Sequence, residues 1–419
     1  MKENKKIKIG IGFATGRKSF QKVLKTYVYG WQECRLPQKE NISLELLVAY
    51  DLKYSNTKAS NFTNIQKDIL NTLDNVRFID DLHIRNDITN LMRKNIIDKK
   101  EANLIYGNGY AAKRNSILYT AIKDKVDYLI FFDDDEYPVA VTNTHSNAVW
   151  GGQHILLTHL KYIKHADITN GYHCGYVSPI PYLDFNNILT ESDFRTFIEA
   201  ISNDIINWDS ICSIMNNGGI TYADTNVLVN HPAYEIPEIN HAKFISGSNL
   251  CINLTDPKRV FPFYNPPNAR GEDTFLSTCL SGRKVLRVPC YSFHDAFSTY
   301  HHIMDGVLPT KFRYVKADSE RIILRFYNAC IGWIRYKPLY LYITQKNNYK
   351  KYISEIDNSL SLTLPKICTY FKSRKFMNIL NEFKYYSSNV KEHFEQFLEI
   401  QKIWSKIVKY ITYNPPVNN

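Results

Sequence analysis

Four consecutive acids, Asp133-Asp134-Asp135-Glu136, follow directly on the apolar run Tyr128 to Phe132. A short run of that kind reads as a buried strand, so its end gathers like charges at the edge of a hydrophobic core. Something positive must meet them. Side chains alternate along an extended strand, which would put Asp133 and Asp135 on one side and Asp134 on the other. Two carboxylates on one side of a strand end suit a hard divalent cation, Mg²⁺ or Mn²⁺. The competing reading, a solvated acidic turn, is weakened by the apolar residues just before the acids.

The acidic strand belongs to a series. Residues 6–14 alternate as a strand, and Thr15-Gly16-Arg17 turns into a helical stretch from Ser19 to Trp31. Leu44 to Tyr50 forms a second apolar run ended by Asp51, and Val76 to Ile79 a third. Strands alternating with helices predict an α/β fold with a mostly parallel sheet covered on both faces. Ligands in such folds bind at the carboxyl ends of the strands, where Thr15, Asp51 and Asp133 all fall. Further on, helical patterns are expected near Gly152–Ile163 and Thr190–Ile206, with an extended stretch at Ala166–Pro181 between them. A strand is expected at His241–Leu254, broken at Gly247-Ser248, then a helix opening near Arg270. From about residue 315 the pattern is helical, with Pro338 and Pro365 as breaks, and Asn414 to Asn419 read as disordered.

Three other segments carry residues with chemical potential. Gly107-Asn108-Gly109 leads into a helix bearing Lys113, Arg114 and Asn115. Glycines let a backbone approach a ligand, and a helix start with two cations nearby favours a diphosphate. Arg270-Gly271-Glu272-Asp273 opens a helix after a proline-rich turn; Asp273 is either an acid favoured by the helix dipole or a base for an attacking hydroxyl. Tyr291-Ser292-Phe293-His294-Asp295 closes another apolar segment, and His294 is either structural or a metal ligand.

In this order the segments resemble the GT-A glycosyltransferases, especially the broad family 2 group of bacterial, inverting enzymes. The resemblance rests on Thr15/Arg17, Asp51, Lys113-Arg114-Asn115, Asp133-x-Asp135, Glu272-Asp273 and His294, and it covers roughly residues 6–300. It implies a Rossmann-like GT-A domain over residues 1–310, with a long acceptor-side insertion at about 139–240. It implies that Asp51 binds the base or ribose of a nucleotide-sugar donor, and that Thr15, Arg17, Gly109, Arg114, Asn115 and Asp134 also contact the donor. Asp133 would lie on the ribose side, and Asp135, with Asp133 and His294, would hold Mn²⁺ or Mg²⁺. Asp273 would be the general base. Ser248, Asn249 and Glu272 would face the transferred sugar, and the aromatic Trp150 could be a sugar platform. A UDP-sugar is expected ahead of a GDP-sugar, on family frequency alone. Lys113 stands where the family usually has a small residue, and the Thr15-Gly16-Arg17 turn lacks the usual sequence.

Charge separates the chain into two parts. Residues 311–419 hold 19 Lys+Arg against 8 Asp+Glu, which is the whole net charge of +11, while residues 1–310 balance. This basic, aromatic-rich helical region has three readings: a bundle packed on the catalytic domain, a docking face for an anionic membrane surface, or a nucleic-acid binder. No recognition motif accompanies the last, and no nucleic acid is expected. The scattered cysteines form no Cys-x-x-Cys pair, and no run reaches the ~18 apolar residues of a membrane span, so a cytoplasmic protein without a leader, peripheral at the inner membrane face, is expected. The predicted function is transfer of a sugar to a hydroxyl of a glycan or lipid-linked acceptor in bacterial surface polysaccharide synthesis. A sugar nucleotidyltransferase and a catalytically silent carbohydrate-binding protein are the alternatives.

Overall fold

The structure is a computed structural model of the chain and describes residues 6–38, 41–144, 147–202, 208–295, 297 and 308–413. The terminal stretch expected to be disordered, Asn414 to Asn419, lies outside the described residues, as does part of the Thr190–Ile206 segment. The strands begin with β1 (Ile7–Thr15), β2 (Ile42–Tyr50), β3 (Asn75–Ile79), β4 (Tyr128–Phe132), β5 (Glu136–Tyr137) and the hairpin β6 (Val139–Thr144) and β7 (Asn147–Gly152). They continue with β8 (Ile168–Tyr176), β9 (Tyr234–Glu235), β10 (Leu250–Asn253) and β11 (Val285–Asp295). The fold is α/β. One nine-stranded sheet runs in the order β3-β2-β1-β4-β10-β8-β11-β5, with β9 on β11.

The expectation of a mostly parallel sheet is corrected. β1 pairs in parallel with β2 and β4, as β2 does with β3 and β8 with β11. β10, however, lies antiparallel between β4 and β8, and β5 and β9 lie antiparallel on β11, so the sheet is mixed. The parallel expectation came from the first four strands, where it holds. In β1 and β2 the last seven residues are all buried, the signature of strands covered on both faces. β10 is also shorter than the expected strand, because residues 243–249 form a loop that turns toward the site.

Side chains of β4 alternate between two cores. Leu129 and Phe131 face one that includes the helix Tyr110–Lys123; Ile130 and Phe132 face the other, which includes the helix Phe20–Glu33. The C-terminal helices Glu320–Thr344, Tyr349–Tyr370, Asn378–Ser388 and Val390–Tyr413 belong to the first core. Phe326, Ile334, Phe397 and Trp404 are buried in it beside Phe263 and Phe275. Trp404 Nε1 donates to the Val260 carbonyl at 3.0 Å, and Tyr264 donates to the His393 carbonyl at 3.1 Å. Pro338 and Pro365 do not break their helices, contrary to expectation. A mid-helix proline costs about 3 kcal/mol, and the apolar surface these long helices bury outweighs that. Among the described residues no helix is long and apolar enough to cross a membrane.

Candidate active site

The chain leaves β1 for β2 on one side and later adds β4 on the other, so the strand order reverses between β1 and β4. A crevice at the carboxyl ends of the strands is the general ligand position at such a reversal. Thr15 and Arg17 stand at the end of β1, and the four acids stand at the end of β4.

Each acid has its own partners. β4 ends at Phe132 and the chain turns at once, so strand alternation does not extend through the acids and Asp133 and Asp135 do not form a pair. Asp133 accepts from the Tyr110 hydroxyl at 3.0 Å and from Arg114 Nη2 at 3.1 Å. Asp134 is buried, accepting from Thr15 Oγ1 at 2.5 Å and Arg17 Nη1 at 2.7 Å. The same Arg17 nitrogen lies 2.5 Å from Asp135 Oδ2, and His294 Nε2 lies 3.4 Å from that oxygen. Glu136 points inward, accepting from Ser248 at 2.9 Å and Ser292 at 2.6 Å, with His173 Nε2 at 3.2 Å. The positive charge the acids require is therefore supplied by Arg17, Arg114 and His294.

Electrostatics follow from this sorting. Burial works against the Arg17 charge, yet Asp135 and Asp134 hold its pKa above the usual arginine value. Burial would raise Asp135, but His294 and Arg17 hold it well below the carboxylate range. Burial likewise opposes a charge on His294, and Asp135 overrides it, lifting the imidazole to about 9. Asp133 is raised, by burial and by its acidic neighbours, against the pull of Arg114.

A cleft of about 990 Å³ opens beside this tip. Arg17, His294, His173, Glu272 and Asp273 reach it from the sheet side. Asp273 is oriented by two backbone donors, Gly247 N–H at 3.1 Å and Thr274 N–H at 2.8 Å. Gly271 precedes it with φ +99°, a left-handed conformation, and a Cβ there would meet the Tyr336 ring at 2.9 Å. The opposite wall is one face of the helix Glu320–Thr344: Arg321, Arg325, Asn328, Gly332, Trp333 and Tyr336.

Several expected donor and sugar contacts lie elsewhere. Arg114 is 1 % exposed, donates to the Gly247 carbonyl at 2.5 Å and lies 3.6 Å from Glu272, so it braces the site from beneath. Lys113 pairs with Asp81 at 2.9 Å. Asn115 is buried and ties the Tyr110 helix to Phe263 and Ile105. Gly109, φ +102°, caps that helix. Asn249 is buried, held between His159 at 2.8 Å and the Tyr172 carbonyl at 3.1 Å. Ser248 is spent on Glu136 and on the Asp133 N–H. Trp150 packs on Phe293 and Phe312 and donates to the Pro309 carbonyl at 2.7 Å, away from the cleft. Asp51 sits at the end of β2, accepting from the Lys53 N–H at 2.9 Å.

The cleft residues that sequence reasoning missed are Arg287 and the helix face with Arg321, Arg325, Trp333 and Tyr336. A readable signal existed for the last group. Polar and small residues recur every three or four positions from Arg321 to Tyr336, a stripe that a wholly core-facing helix would not carry. No protein-family model matches this sequence, and no curated protein is similar enough to stand as a relative.

Proposed function

We propose that this chain is a GT-A-like glycosyltransferase that moves a sugar from a nucleotide donor to an acceptor hydroxyl. The observation that carries the reading is convergence: Arg17, Asp273 and His294, from three distant segments, line one cleft at the strand-order reversal. In this reading the donor's diphosphate lies against Arg17 and His294, with its sugar toward Asp273, Trp333 and Tyr336. Rings such as Trp333 offer the apolar face that sugar C–H groups lie on. Asp273 takes the proton of the acceptor hydroxyl as its oxygen bonds to the anomeric carbon, and the bond to the phosphate oxygen breaks on the opposite side. Configuration is inverted. The Gly247 and Thr274 N–H groups keep the carboxylate aimed, and the sugar passes through an oxocarbenium-like state.

Mn²⁺ or Mg²⁺ fits the tip as a partial site. Asp135 and His294, whose Nε2 lies 3.4 Å from the Asp135 oxygen, would hold the ion once His294 had given up its proton and Arg17 had released that oxygen. Among the described residues no group of three or more His, Cys, Asp or Glu side chains is arranged to hold a metal ion, so donor phosphates would supply the remaining ligands, as is common for such ions. When bound, the ion would stabilise negative charge on the departing diphosphate.

A catalytically silent carbohydrate-binding protein is the second reading, favoured by the hold of Arg17 on Asp134 and Asp135. One assay separates the two. Purified protein incubated with UDP- and GDP-sugars and Mn²⁺ should slowly release nucleoside diphosphate. Asp273→Asn should keep donor binding while losing about 10²–10⁴-fold in transfer or hydrolysis. Turnover unchanged in that variant would remove Asp273 from the mechanism, and no release from any donor would favour the silent reading.

A further inference from the structure

The helix Glu320–Thr344 carries two cations, Arg321 and Arg325, in its first two turns. The helix dipole disfavours positive charge in the first turn, where Arg321 stands. Both face the cleft, and among the described residues neither has a carboxylate partner. Arg321 donates to the Phe297 carbonyl. Arg325 lies over the Phe297 ring at 5.2 Å, and its Nε is buried with no hydrogen-bond partner. A buried guanidinium nitrogen left without an acceptor is costly.

The surrounding charges sharpen the point. Burial lowers the pKa of Arg325; Asp135 opposes that, while Arg17 and Arg270 add to it. Arg270 also lines the cleft without a carboxylate partner. Arg17 is held by Asp134 and Asp135, while Arg270, Arg321 and Arg325 line the same cleft and, among the described residues, none of the three has a carboxylate within 4.0 Å. Three guanidinium groups around one space form a site for a multivalent anion. Planar forked donors match phosphate oxygens in particular.

We propose that Arg325 and Arg321, supplied by the C-terminal region, bind the diphosphate of the nucleotide, so that nucleoside diphosphate binding persists without divalent cations. The inference rests on the glycosyltransferase reading and adds a second, arginine-built half to the diphosphate site. It also gives the C-terminal helices a role in the chemistry: they bring cations to the charge that develops on the leaving group.

The test is calorimetry on the full chain with UDP, GDP and inorganic pyrophosphate, in EDTA and in Mn²⁺. The wild type should bind UDP or GDP, and pyrophosphate, in EDTA. Arg325→Ala should weaken these affinities roughly 10- to 100-fold in EDTA. Arg325→Lys should fall between, and Arg321→Ala should weaken binding less. Arg195→Ala, which removes an exposed charge paired with Glu199, should change nothing. Melting temperatures check folding; if Arg325→Ala unfolds, Arg325→Lys and Arg321→Ala decide. Unchanged affinities in the folded variants overturn the proposal, as does wild-type nucleotide binding seen only with Mn²⁺. Either result leaves the glycosyltransferase reading standing. Failure of both nucleotides to bind in either condition would remove that reading itself, and the proposal with it.

Discussion

Replacing Arg114 by Met separates a brace from a donor contact. The guanidinium is 1 % exposed and lies between the rings of Phe131 and Tyr110, each at 4.9 Å. It donates to two acceptors, the Gly247 carbonyl and Asp133, and forms an ion pair with Glu272 at 3.6 Å. Met keeps most of the stem's volume and removes only the charge and its donors. What remains is two carboxylates stripped of their paired cation, Asp133 and Glu272, their side chains 29 % and 12 % exposed. Breaking one partner out of a buried ion pair costs about 3–5 kcal/mol.

The loss is limited because carboxylates can escape by protonating. Glu272 is already raised, by burial and by Asp273, and Asp133 by burial and by its acidic neighbours. Without Arg114 both should rise further. For an acid whose folded pKa exceeds its unfolded value, the native state is penalised once pH rises above the unfolded value, near 4. The destabilisation should therefore be larger at pH 8 than at pH 5. Urea unfolding at the two pH values measures this directly. An unchanged midpoint at pH 8, accompanied only by weaker nucleotide binding, would refute the brace and restore Arg114 as a donor contact.

Three further outcomes are expected. His159 is fully buried, and burial holds its imidazole down to about 4. Stability present above pH 6.5 should be lost as pH falls toward 4, by about 3 kcal/mol from this group, and His159→Gln should flatten that part of the profile. Ending the chain at residue 310 should leave a product that binds hydrophobic dyes and lacks a cooperative melt, since Phe263 and Phe275 share their core with Phe397 and Trp404; a cooperative melt of the fragment would show that the region is dispensable. Gly271→Ala should cost about 1–3 kcal/mol by thermal unfolding, through its left-handed φ of +99° and the Tyr336 ring, and a smaller loss would mean the turn relaxes freely.

The limits of sequence reading here are physical. Binary pattern located β1 to β4 and placed Thr15, Asp51 and Asp133 at strand ends, because burial in a parallel sheet leaves long apolar runs whose polar termini stand out. It extended the strand rule into the acids, where the backbone turns, Asp133 goes to Arg114, and Asp134 and Asp135 share Arg17. Arg114 and Asn115 show the same limit: a helix start rich in polar residues reads as a ligand cradle, but nothing local says that these side chains point into the core. Trp150 read as a sugar platform because nothing local signals Phe293 of β11 and Phe312, which pack on it from distant segments.

Local sequence determined where strands end and which charged residues crowd those ends, since periodicity and apolar runs are properties of neighbours along the chain. Only the tertiary structure decided that β10 enters antiparallel, that Asp133 pairs with Arg114 while Asp134 and Asp135 share Arg17, and that a helix starting at Glu320 walls a cleft built by Arg17, Asp273 and His294. Those outcomes depend on packing between segments hundreds of residues apart. A shared hydrophobic core, not any local motif, brings Arg325 to the tip of β4.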